Sequence, residues 1–451
     1  MNLKGKKVSI LGFGKTGQSL LRTALCLGGN CQVADTRLLE NADALRQTYP
    51  NVLFHFGTLP ESLLLNSDLI LVSPGLAPTL PALVKARDAG IEIMGDIELF
   101  GRLAKAPIIA ITGSNGKSTV TTMVGEMAKA AGYRVGIGGN LGTPALDLLP
   151  DEKAAELEVE YYVLELSSFQ LAACQQFHPQ VAAILNLSPD HLDWHGDYAS
   201  YGAAKARIFQ NMSEGDTLIL NAEDAFTADL PRQVPAGVQL QFFGADASTD
   251  AYVADNHLVL RDSGTLLSLQ EMRIHGSHNR ENALAAALLA RAAQIPVEAI
   301  QKTLSQFSGL PHRLTWITEW QGVNYYDDSK GTNLGATLKA MTGLPGPLVM
   351  ILGGDAKGAD LTPLQEASRG QRGAVVIGKD GPAIAQLLGG IVPVESAMNM
   401  TEAVEKAAQL AQEGDQVLLS PACASTDMFV DYQDRGRQFA TAVLHLAGGG
   451  L

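Results

Sequence analysis

The 451-residue chain has little that would place it in a membrane, on nucleic acid or in an oxidising compartment. Its four cysteines, Cys26, Cys31, Cys174 and Cys423, lack metal-ligand spacing and lie in apolar contexts, which is typical of reduced core residues. No apolar run is long enough to span a membrane, and the N-terminus lacks a signal-peptide pattern. Positive charge is scarce: 33 basic against 47 acidic residues give a net charge of −14, which disfavours nucleic acid. We therefore expect a cytoplasmic protein that binds neither membranes nor nucleic acid.

The length and the order of motifs predict three α/β domains. A chain of 451 residues is too long for a single hydrophobic core. Apolar strands that end in glycine-rich or polar loops recur in three blocks, and a Gly-Leu-Pro sequence at 309–311 separates the last two. The expected domains are 1–95, 96–309 and 310–451. The first and third are predicted to be Rossmann-like, and the middle one a P-loop ATPase α/β domain.

The stretch 108–119, Ile-Ile-Ala-Ile-Thr-Gly-Ser-Asn-Gly-Lys-Ser-Thr, carries the clearest functional signal. It predicts a buried strand, a glycine loop and a helix over 120–131, so that loop amides and the helix dipole face one anion. Lys117 can reach the outer phosphate oxygens, and the Ser118 hydroxyl can ligate Mg²⁺. An ordinary strand-to-helix turn does not explain Gly-Lys-Ser-Thr behind an apolar strand. We therefore predict a nucleoside triphosphate site.

A second glycine-rich turn, Gly-Phe-Gly-Lys-Thr-Gly at 12–17, follows the first predicted strand, and Asp35 follows the second. This pattern matches the dinucleotide fingerprint, so an NAD-dependent oxidoreductase is one interpretation. A simple dehydrogenase does not need a separate triphosphate loop, however. The Asp-Thr-Arg sequence at 35–37 could instead bind the ribose or phosphate of another nucleotide. Asp35 could also be only a helix N-cap.

Other polar residues follow strands of the predicted middle domain. Glu165 ends an apolar strand, where its carboxylate can complete a Mg²⁺ shell beside Ser118; the alternative is a solvated loop acid. The segment 186–195 places two histidines and two aspartates at another strand end, so His191 is expected beside the phosphates. Lys205 lies on a predicted helix, and its default interpretation is a surface lysine.

Two further segments allow a structural and a nucleotide-binding interpretation. The sequence 278–282 begins an alanine-rich helix, where an asparagine can cap the helix or hold a base or ribose. Arg313 follows the second domain boundary, where an arginine could clamp phosphates once the domains close.

In their order along the chain, these motifs resemble those of the Mur ligases. The resemblance rests on Gly-Ser-Asn-Gly-Lys-Ser-Thr at 113–119, Glu-Leu-Ser-Ser-Phe-Gln-Leu at 165–171, Asn-Leu-Ser-Pro-Asp-His-Leu-Asp at 186–193, His-Asn-x-x-Asn-Ala at 278–283, Leu-Pro-His-Arg at 310–313, Asp-Asp-Ser-Lys-Gly-Thr-Asn at 327–333 and Ser-Pro-Ala-Cys-Ala-Ser-x-Asp at 420–427. The last two motifs look like those of family members that add D-glutamate. The resemblance implies a monomeric amide ligase of peptidoglycan precursor synthesis. It also implies an acyl-phosphate intermediate, ATP and Mg²⁺ as cofactors, and UDP-N-acetylmuramoyl-L-alanine and D-glutamate as substrates.

The resemblance also implies roles for individual residues of this chain. The implied ATP-binding positions are Gly113, Ser114, Asn115, Gly116, Lys117, Ser118, Thr119, Asn279, Asn282, Arg313 and Asp328. The implied positions for the UDP-sugar are Lys15, Thr16, Asp35, Thr36, Arg37, Ser73 and Gly75, with Asn140 near the reacting carboxylate, and those for D-glutamate are Lys330, Thr332, Lys357, Ser425 and Tyr432. The implied catalytic residues are Lys117, Glu165, His191 and Lys205, and the implied Mg²⁺ positions are Ser118, Glu165, His191 and Lys205, the last as a carbamate formed with CO₂.

Two positions depart from the family pattern. Tyr432 stands where relatives often have phenylalanine, and Asp327 stands where they usually have asparagine, so Asp327 is assigned no role. Three alternatives also stay open. They are a ligase of the same family with another acceptor, a nicotinamide oxidoreductase, and a nucleotide-binding regulatory protein without turnover. The motifs at 327–333 and 420–427 weigh against the first.

Overall fold

A computed structural model of the chain describes residues 1–39, 42–150, 158–274 and 276–448. These residues form three α/β sheets in two compact units. The predicted α/β class is confirmed, whereas the domain boundaries stay predictions. The first unit carries two sheets and the second unit one. The first unit comprises 1–187, 199–269 and 282–305, and the second comprises 188–198, 270–281 and the described residues from 306 onward.

The first sheet has five strands in the described residues, and all of them run parallel. Its strands are β1 (Lys7–Leu11), β2 (Asn30–Asp35), β3 (Leu53–Phe56), β4 (Leu69–Val72) and β5 (Glu92–Gly95), and its helices are α1 (Lys15–Cys26), α2 (Ala42–Thr48), α3 (Glu61–Leu65), α4 (Pro81–Asp88) and α5 (Asp96–Leu103). The strand order is β3-β2-β1-β4-β5, as in a Rossmann-like half. The order reverses beside β1, so the turn at 12–17 lies where such sheets bind ligands.

The second sheet, in the same unit, has nine strands among the residues described. Its strands are β6 (Ile108–Thr112), β7 (Val135–Gly139), β8 (Tyr161–Glu165), β9 (Val181–Ile184), β10 (Thr217–Asn221), β11 (Gln239–Phe243), β12 (Ala251–Ala254), β13 (His257–Leu260) and β14 (Gly264–Ser268). The helices of this stretch are α6 (Lys117–Ala130), α7 (Ser168–Ala172), α8 (Leu192–His195), α9 (Tyr198–Ala206), α10 (Ala225–Asp229), α11 (Ser277–Ala292) and α12 (Val297–Gln306).

The strand order of the second sheet is β14-β13-β12-β11-β10-β9-β6-β8-β7. The apolar strands that were predicted around the glycine loop at 113–116 form the parallel centre of this sheet. The antiparallel extension β12–β14 was not predicted, because these strands are only four or five residues long and partly buried. The predicted alanine-rich helix is α11, and α12 follows it along the chain.

The second unit contains the third sheet, which has six strands within the described ranges. Its strands are β15 (Thr315–Trp320), β16 (Val323–Asp327), β17 (Leu348–Gly353), β18 (Gly373–Ile377), β19 (Val394–Ser396) and β20 (Gln416–Leu419), and its helices are α13 (Leu334–Gly343), α14 (Leu364–Ala367), α15 (Gly381–Leu388), α16 (Met400–Leu410) and α17 (Tyr432–Gly448). The order is β15-β16-β20-β17-β18-β19, and only β15 pairs antiparallel in this described sheet. The sheet therefore has the doubly wound pattern that the sequence predicted.

The cysteines follow the sequence prediction with one exception. All four are free thiols, and Cys31, Cys174 and Cys423 are buried as predicted. Cys26 is exposed, so its predicted core position is wrong. It lies four residues after Arg22, whose side chain is 45% exposed, and therefore shares the solvent face of α1. Among the described residues, none of the helices combines the length and the hydropathy that crossing a bilayer requires.

Candidate active site

Four neighbouring parallel strands of the second sheet carry polar residues at their carboxyl ends. In sheet order these strands are β9, β6, β8 and β7. Asn186 follows the first, the phosphate loop 113–118 follows the second, Glu165 ends the third, and Asn140 follows the fourth. Because parallel strands end at one edge of the sheet, these groups lie side by side.

The phosphate loop is built around a left-handed turn at Gly116, which precedes α6. Gly116 has a φ of +84°, and a Cβ atom at this position would collide with the amide oxygen of Asn282. The backbone N–H of Ser114 donates to the Asn186 carbonyl over 3.0 Å, and that of Asn115 donates to Asn186 Oδ1 over 2.9 Å. These two N–H groups anchor the loop to the segment that follows β9, and the predicted anion site of the loop stays a prediction.

Two lysines converge on one carbonyl oxygen of this loop. Lys117 Nζ donates to the Gly113 carbonyl over 2.8 Å and to the Ser114 carbonyl over 2.9 Å. Lys205 Nζ donates to the same Gly113 oxygen over 2.8 Å. Two cationic side chains beside one loop favour an anionic ligand there.

Lys205 is 2% exposed, so its default interpretation as a surface lysine is wrong. Its Nζ lies 4.7 Å from the centroid of the Tyr201 ring, and the Tyr201 hydroxyl is 3.0 Å from Ser114 Oγ. Tyr201 and Lys205 are four residues apart on α9, so both project from the helix face that packs on the phosphate loop. The sequence analysis missed Tyr201, although this spacing was a signal for it.

Glu165 is 3% exposed and fully engaged, which excludes the alternative of a solvated loop acid. The Ser118 hydroxyl donates to Glu165 Oε2 over 2.5 Å, and the Asn140 side-chain amide donates to Oε1 over 2.7 Å. Hydroxyl and carboxylate oxygens are ligands that Mg²⁺ prefers, and Ser118 and Glu165 place one of each in contact. The residues present therefore fit this ion.

The turn that follows Glu165 is held by Gln170 and by its partner Asp96, and the sequence analysis missed both residues. Ser167 and Gln170 form a reciprocal capping box at the start of α7, and Gln170 Nε2 donates to Asp96 Oδ2 over 2.8 Å. Burial raises the pKa of Asp96 to about 6. The Ser-x-x-Gln spacing signalled the cap. Nothing local signalled Asp96, because its contact spans 74 residues of sequence.

The glycine-rich turn of the first sheet is fixed by Asp35. Asp35 accepts hydrogen bonds from the Phe13 N–H over 2.7 Å, from the Arg37 N–H over 2.8 Å, and from the Arg37 guanidinium over 2.7 and 3.0 Å. Burial alone would raise the pKa of Asp35, but the Arg37 and Phe13 hydrogen bonds lower it to about 2. The N-cap alternative is wrong, since α2 begins only at Ala42.

The other predicted UDP-sugar residues lie around the same turn. Lys15 and Thr16 begin α1, and Thr36 follows β2. Ser73 and Gly75 follow β4, which neighbours β1, and a Cβ atom at Gly12 would lie 3.0 Å from the Ser73 Cβ. The fold therefore gathers this predicted set at three adjacent strand ends.

The second unit carries His191 and the first turn of α11. His191 has a φ of +54°, and its Nε2 lies 3.6 Å from Asp190 Oδ2. Asp190 in turn accepts from the side-chain amide of Asn333 over 3.2 Å. Asn279 belongs to the same unit, whereas Asn282 belongs to the first unit. The predicted metal positions Ser118, Glu165 and Lys205 thus lie in the first unit, and His191 lies in the second.

Within the second unit, the ends of β16 and β20 surround Asp328. Asp328 accepts from the Ser420 hydroxyl over 2.7 Å and from the Leu314 N–H over 3.2 Å. Burial raises the pKa of Asp328 to about 7, although the Ser420 hydrogen bond and the nearby Arg313 charge act in the opposite direction. Asp327, which was assigned no role, is buried and has its Oδ2 2.6 Å from His312 Nδ1.

The predicted D-glutamate positions lie around the ends of β16, β17 and β20. Lys330 Nζ lies 4.1 Å from the centroid of the Tyr432 ring, which is a cation–π contact. Thr332 donates its N–H to the Lys330 carbonyl over 2.7 Å. Residues 355 and 424 pair as an antiparallel bridge, which brings the segments of Lys357 and Ser425 together.

The buried side chain of Arg435 connects the loops that follow β16 and β20. Arg435 donates to the Ser329 hydroxyl and carbonyl over 3.0 and 2.8 Å, and to the Cys423 carbonyl over 3.1 Å. Burial lowers the pKa of Arg435 to about 10. The loops after β16 and β20 are thereby tied to one guanidinium, which the sequence analysis missed because its partners lie up to 106 residues away.

Comparison with known proteins assigns the family. Three family models match the chain in order: the N-terminal domain of MurD-like Mur ligases over 6–95, the Mur ligase middle domain over 111–290, and the Mur ligase glutamate ligase domain over 312–423. The chain belongs to the Mur ligase family. Two relatives of this Mur ligase carry the name UDP-N-acetylmuramoylalanine--D-glutamate ligase. The protein of Pseudomonas aeruginosa is 47% identical over 97% of this chain and 98% of its own length, and that of Pseudomonas syringae is 46% identical over 96% and 97%.

A solved structure extends the likeness to the fold. UDP-N-acetylmuramate-alanine ligase from Thermotoga maritima is 18% identical, covers 98% of this chain and 100% of its own, and has a TM-score of 0.60. This confirms the predicted three-domain α/β fold of the Mur ligase. Family membership also implies ATP and Mg²⁺ in general, and it sets aside the oxidoreductase and the regulatory protein as interpretations of the chain.

Proposed function

We propose that this Mur ligase joins D-glutamate to UDP-N-acetylmuramoyl-L-alanine, at the expense of ATP, through an acyl-phosphate intermediate. One observation carries the choice of acceptor: relatives named for this reaction are 46 and 47% identical over nearly the whole chain. The chemistry requires ATP to phosphorylate the substrate carboxylate, after which the amine of D-glutamate displaces phosphate. Both reacting partners are anions, so fixed cations and hydrogen-bond donors must be in place beforehand.

The phosphate loop supplies these groups in the first unit. We assign Lys117 to the γ-phosphate, because its ammonium is already held at the loop by two carbonyls. Residues 113–119 and Asn282, which lies against Gly116, are the proposed ATP contacts of this unit. Ser118 and Glu165 would hold Mg²⁺, which neutralises charge on phosphate oxygens when it is bound. Asn140 fixes Glu165 and is proposed to lie near the reacting carboxylate.

Lys205 is proposed to act as a carbamate. Its neutral amine would add to the carbon of CO₂ and lose one proton to solvent, leaving a carbamate anion on Nζ. Lys205 Nζ and Lys117 Nζ both donate to the carbonyl oxygen of Gly113, and this shared contact supports the proposal. An anion at this position would attract Lys117 where an ammonium repels it. Carbamate oxygens, unlike an ammonium, can also contribute to a Mg²⁺ site.

The second unit is proposed to bind the amino acid. D-glutamate would be held by Lys330, Thr332, Lys357, Ser425 and Tyr432. The ammonium groups of Lys330 and Lys357 would pair with the two carboxylates of D-glutamate. Asn279, Arg313 and Asp328 are the proposed ATP contacts of this unit, and His191 a proposed Mg²⁺ position and catalytic residue. The domains 1–95, 96–309 and 310–451, a cytoplasmic location and a monomeric state complete the proposal.

A screen of acceptors tests the proposed reaction. Phosphate release would be measured with ATP, Mg²⁺ and UDP-N-acetylmuramoyl-L-alanine, and with L-alanine, D-glutamate, L-glutamate or meso-diaminopimelate added singly. We expect release that needs both the UDP-sugar and D-glutamate. Release supported by another amino acid and not by D-glutamate would reassign the acceptor within the family, and release without any amino acid would contradict ligation.

The turn at 12–17 is expected to bind a uridine nucleotide and not NAD. The motif at 113–119 already provides a separate triphosphate loop, which a simple dehydrogenase does not need, so we assign the turn at 12–17 to the nucleotide of the other substrate. Calorimetric titration should show binding of the UDP-sugar and none of NAD. Micromolar binding of NAD, with the UDP-sugar inert, would reverse this assignment.

A further inference from the structure

A series of hydrogen bonds and packing contacts connects α1 with Glu165 within the first unit, and its first link is Asp147. This residue belongs to the 3₁₀ turn Ala145–Leu148. The hydroxyl of Ser19, which is fully buried in α1, donates to Asp147 Oδ1 over 2.7 Å. The guanidinium of Arg22, also on α1, donates to both carboxylate oxygens over 2.9 and 2.8 Å. Helix α1 is therefore tied by two side chains to a residue that follows β7.

The second link joins the Asp147 turn to the loop that follows β7. A Cβ atom at Gly138 would lie 3.0 Å from Leu148 Cδ1, so the turn packs directly on the strand. The N–H of Gly139 donates to the Thr143 carbonyl over 2.9 Å, which closes the loop over 139–143. Gly139 has a φ of +98°, and a Cβ atom there would collide with the carbonyl oxygen of Glu165. The backbone of the loop at Gly139 therefore lies so close to β8 that it leaves no room for a side chain.

The third link joins this loop to the phosphate loop. The Asn140 N–H donates to the Glu165 carbonyl over 2.8 Å, while its side-chain amide donates to Glu165 Oε1 over 2.7 Å. The other oxygen of Glu165 accepts from Ser118. A displacement of the Asp147 turn would therefore move Asn140 relative to Glu165, which the pairing of β8 with β6 holds in the sheet.

We propose that Asp147 is a positioning residue, which sets the register between α1 and the loop that carries Asn140. The proposal rests on the proposed function, in which α1 begins at the UDP-sugar turn and Asn140 lies near the reacting carboxylate. The side-chain hydrogen bonds of Asp147 described above join it to Ser19 and Arg22, and neither of these is a predicted nucleotide-binding position. Asp147 would act by fixing the distance between two parts of the first unit. One is the domain proposed to bind the UDP-sugar, and the other is the edge of the second sheet where the carboxylate of that substrate would react.

The need for such a residue follows from the geometry of acyl transfer to phosphate. The carboxylate must lie within about 3–3.5 Å of the γ-phosphorus and in line with the leaving oxygen. The UDP moiety and the carboxylate are opposite ends of one long substrate. An error in the relative position of the two protein segments therefore becomes an error at the reacting atoms.

The test replaces Asp147 in the full chain and separates kcat from KM. For D147A we expect kcat of D-glutamate ligation to fall roughly tenfold, since small misplacements of reacting groups cost about this much or more. The KM for ATP should stay within twofold, because Asn186 still anchors the phosphate loop. Calorimetric affinity for UMP should also stay within twofold, because Asp35 still holds its turn. D147N, which keeps an acceptor for Ser19 and loses the charge opposite Arg22, should recover part of kcat.

A matched control is Glu61→Gln. It removes the charge from an exposed ion pair with Lys85 at 2.8 Å, and neither residue is a predicted site residue. This variant should keep wild-type kinetics. If D147A does not fold, D147N alone is judged, with a reduced kcat at unchanged KM for ATP as the expected result.

Three results would overturn the positioning role. They are a folded D147A with kcat within twofold of wild type, a KM for ATP that rises as much as kcat falls, and a loss of UMP affinity equal to the loss of kcat. A wild type without D-glutamate-dependent phosphate release would instead contradict the proposed function. The two failures are therefore distinguishable.

Discussion

Replacing Lys117 by alanine should abolish ligation and leave the fold intact. The substitution removes a point charge proposed to face the γ-phosphate, and preorganised charges of this kind are worth about 10²-fold or more in turnover. We expect it to remove little packing, since Lys117 is only partly buried and is the first residue of α6. Phosphate release under saturating substrates measures the effect, and a thermal melt confirms folding.

Lys129→Ala is the matched control for Lys117→Ala. Lys129 lies on the same helix, α6, and forms an exposed pair with Glu126 at 3.0 Å. An exposed pair of this kind contributes little, so the control should keep wild-type turnover and stability. Near-normal turnover in a well-folded Lys117→Ala variant would contradict the assignment of Lys117 to the γ-phosphate.

Lys205→Ala should be nearly inactive, with turnover reduced by about 10²-fold or more if an anion at this position organises the reacting phosphates. The substitution empties a buried space beside the Tyr201 ring and Gly113. A short carboxylic acid can enter such a space and offer the oxygens that the carbamate would have supplied. Added acetate should therefore restore part of the activity of Lys205→Ala.

The same addition distinguishes the two lysines. Acetate should not restore Lys117→Ala, where a cation is missing, and it should leave the wild type unchanged. Full activity of Lys205→Ala without any additive would show that the side chain has no catalytic role. An inactive, folded variant that acetate does not restore would favour a role for the ammonium itself over the carbamate. Mass spectrometry of the wild type under CO₂, with trapping of the carbamate, would then decide between them.

Sequence reasoning placed the phosphate loop and Glu165 correctly at strand ends because these features are local. A buried apolar strand, a left-handed turn at Gly116 and a helix start lie within a dozen residues, and each is encoded by neighbouring side chains. The parallel order of the central strands then brings their ends to one edge without further information. The resemblance added the family, which the comparisons confirmed, and the individual site roles, which stay predictions.

Local pattern gave the wrong environment for Lys205 and the wrong structural alternative for Asp35. A lysine on a short helix such as α9 is usually solvated. The face of α9 that carries Tyr201, however, packs on the loop that contains Ser114, 87 residues earlier in the sequence. Asp35 precedes a helix in sequence, yet its carboxylate turns back to the Phe13 N–H, 22 residues earlier. In both cases a long-range contact overrides the local preference.

The sequence by itself therefore determined the class of fold and the strand, glycine loop and helix start at 108–119, because strand pattern and turn chemistry are short-range properties. Its motifs also carried the resemblance that gave the family. Only the tertiary structure decided which polar groups support the site. It paired Asp147 with Ser19 across 128 residues, Gln170 with Asp96 across 74, and Arg435 with Ser329 across 106. The physical reason is that a buried polar group must find a hydrogen-bond partner wherever the packed chain provides one, and no local pattern records that partner.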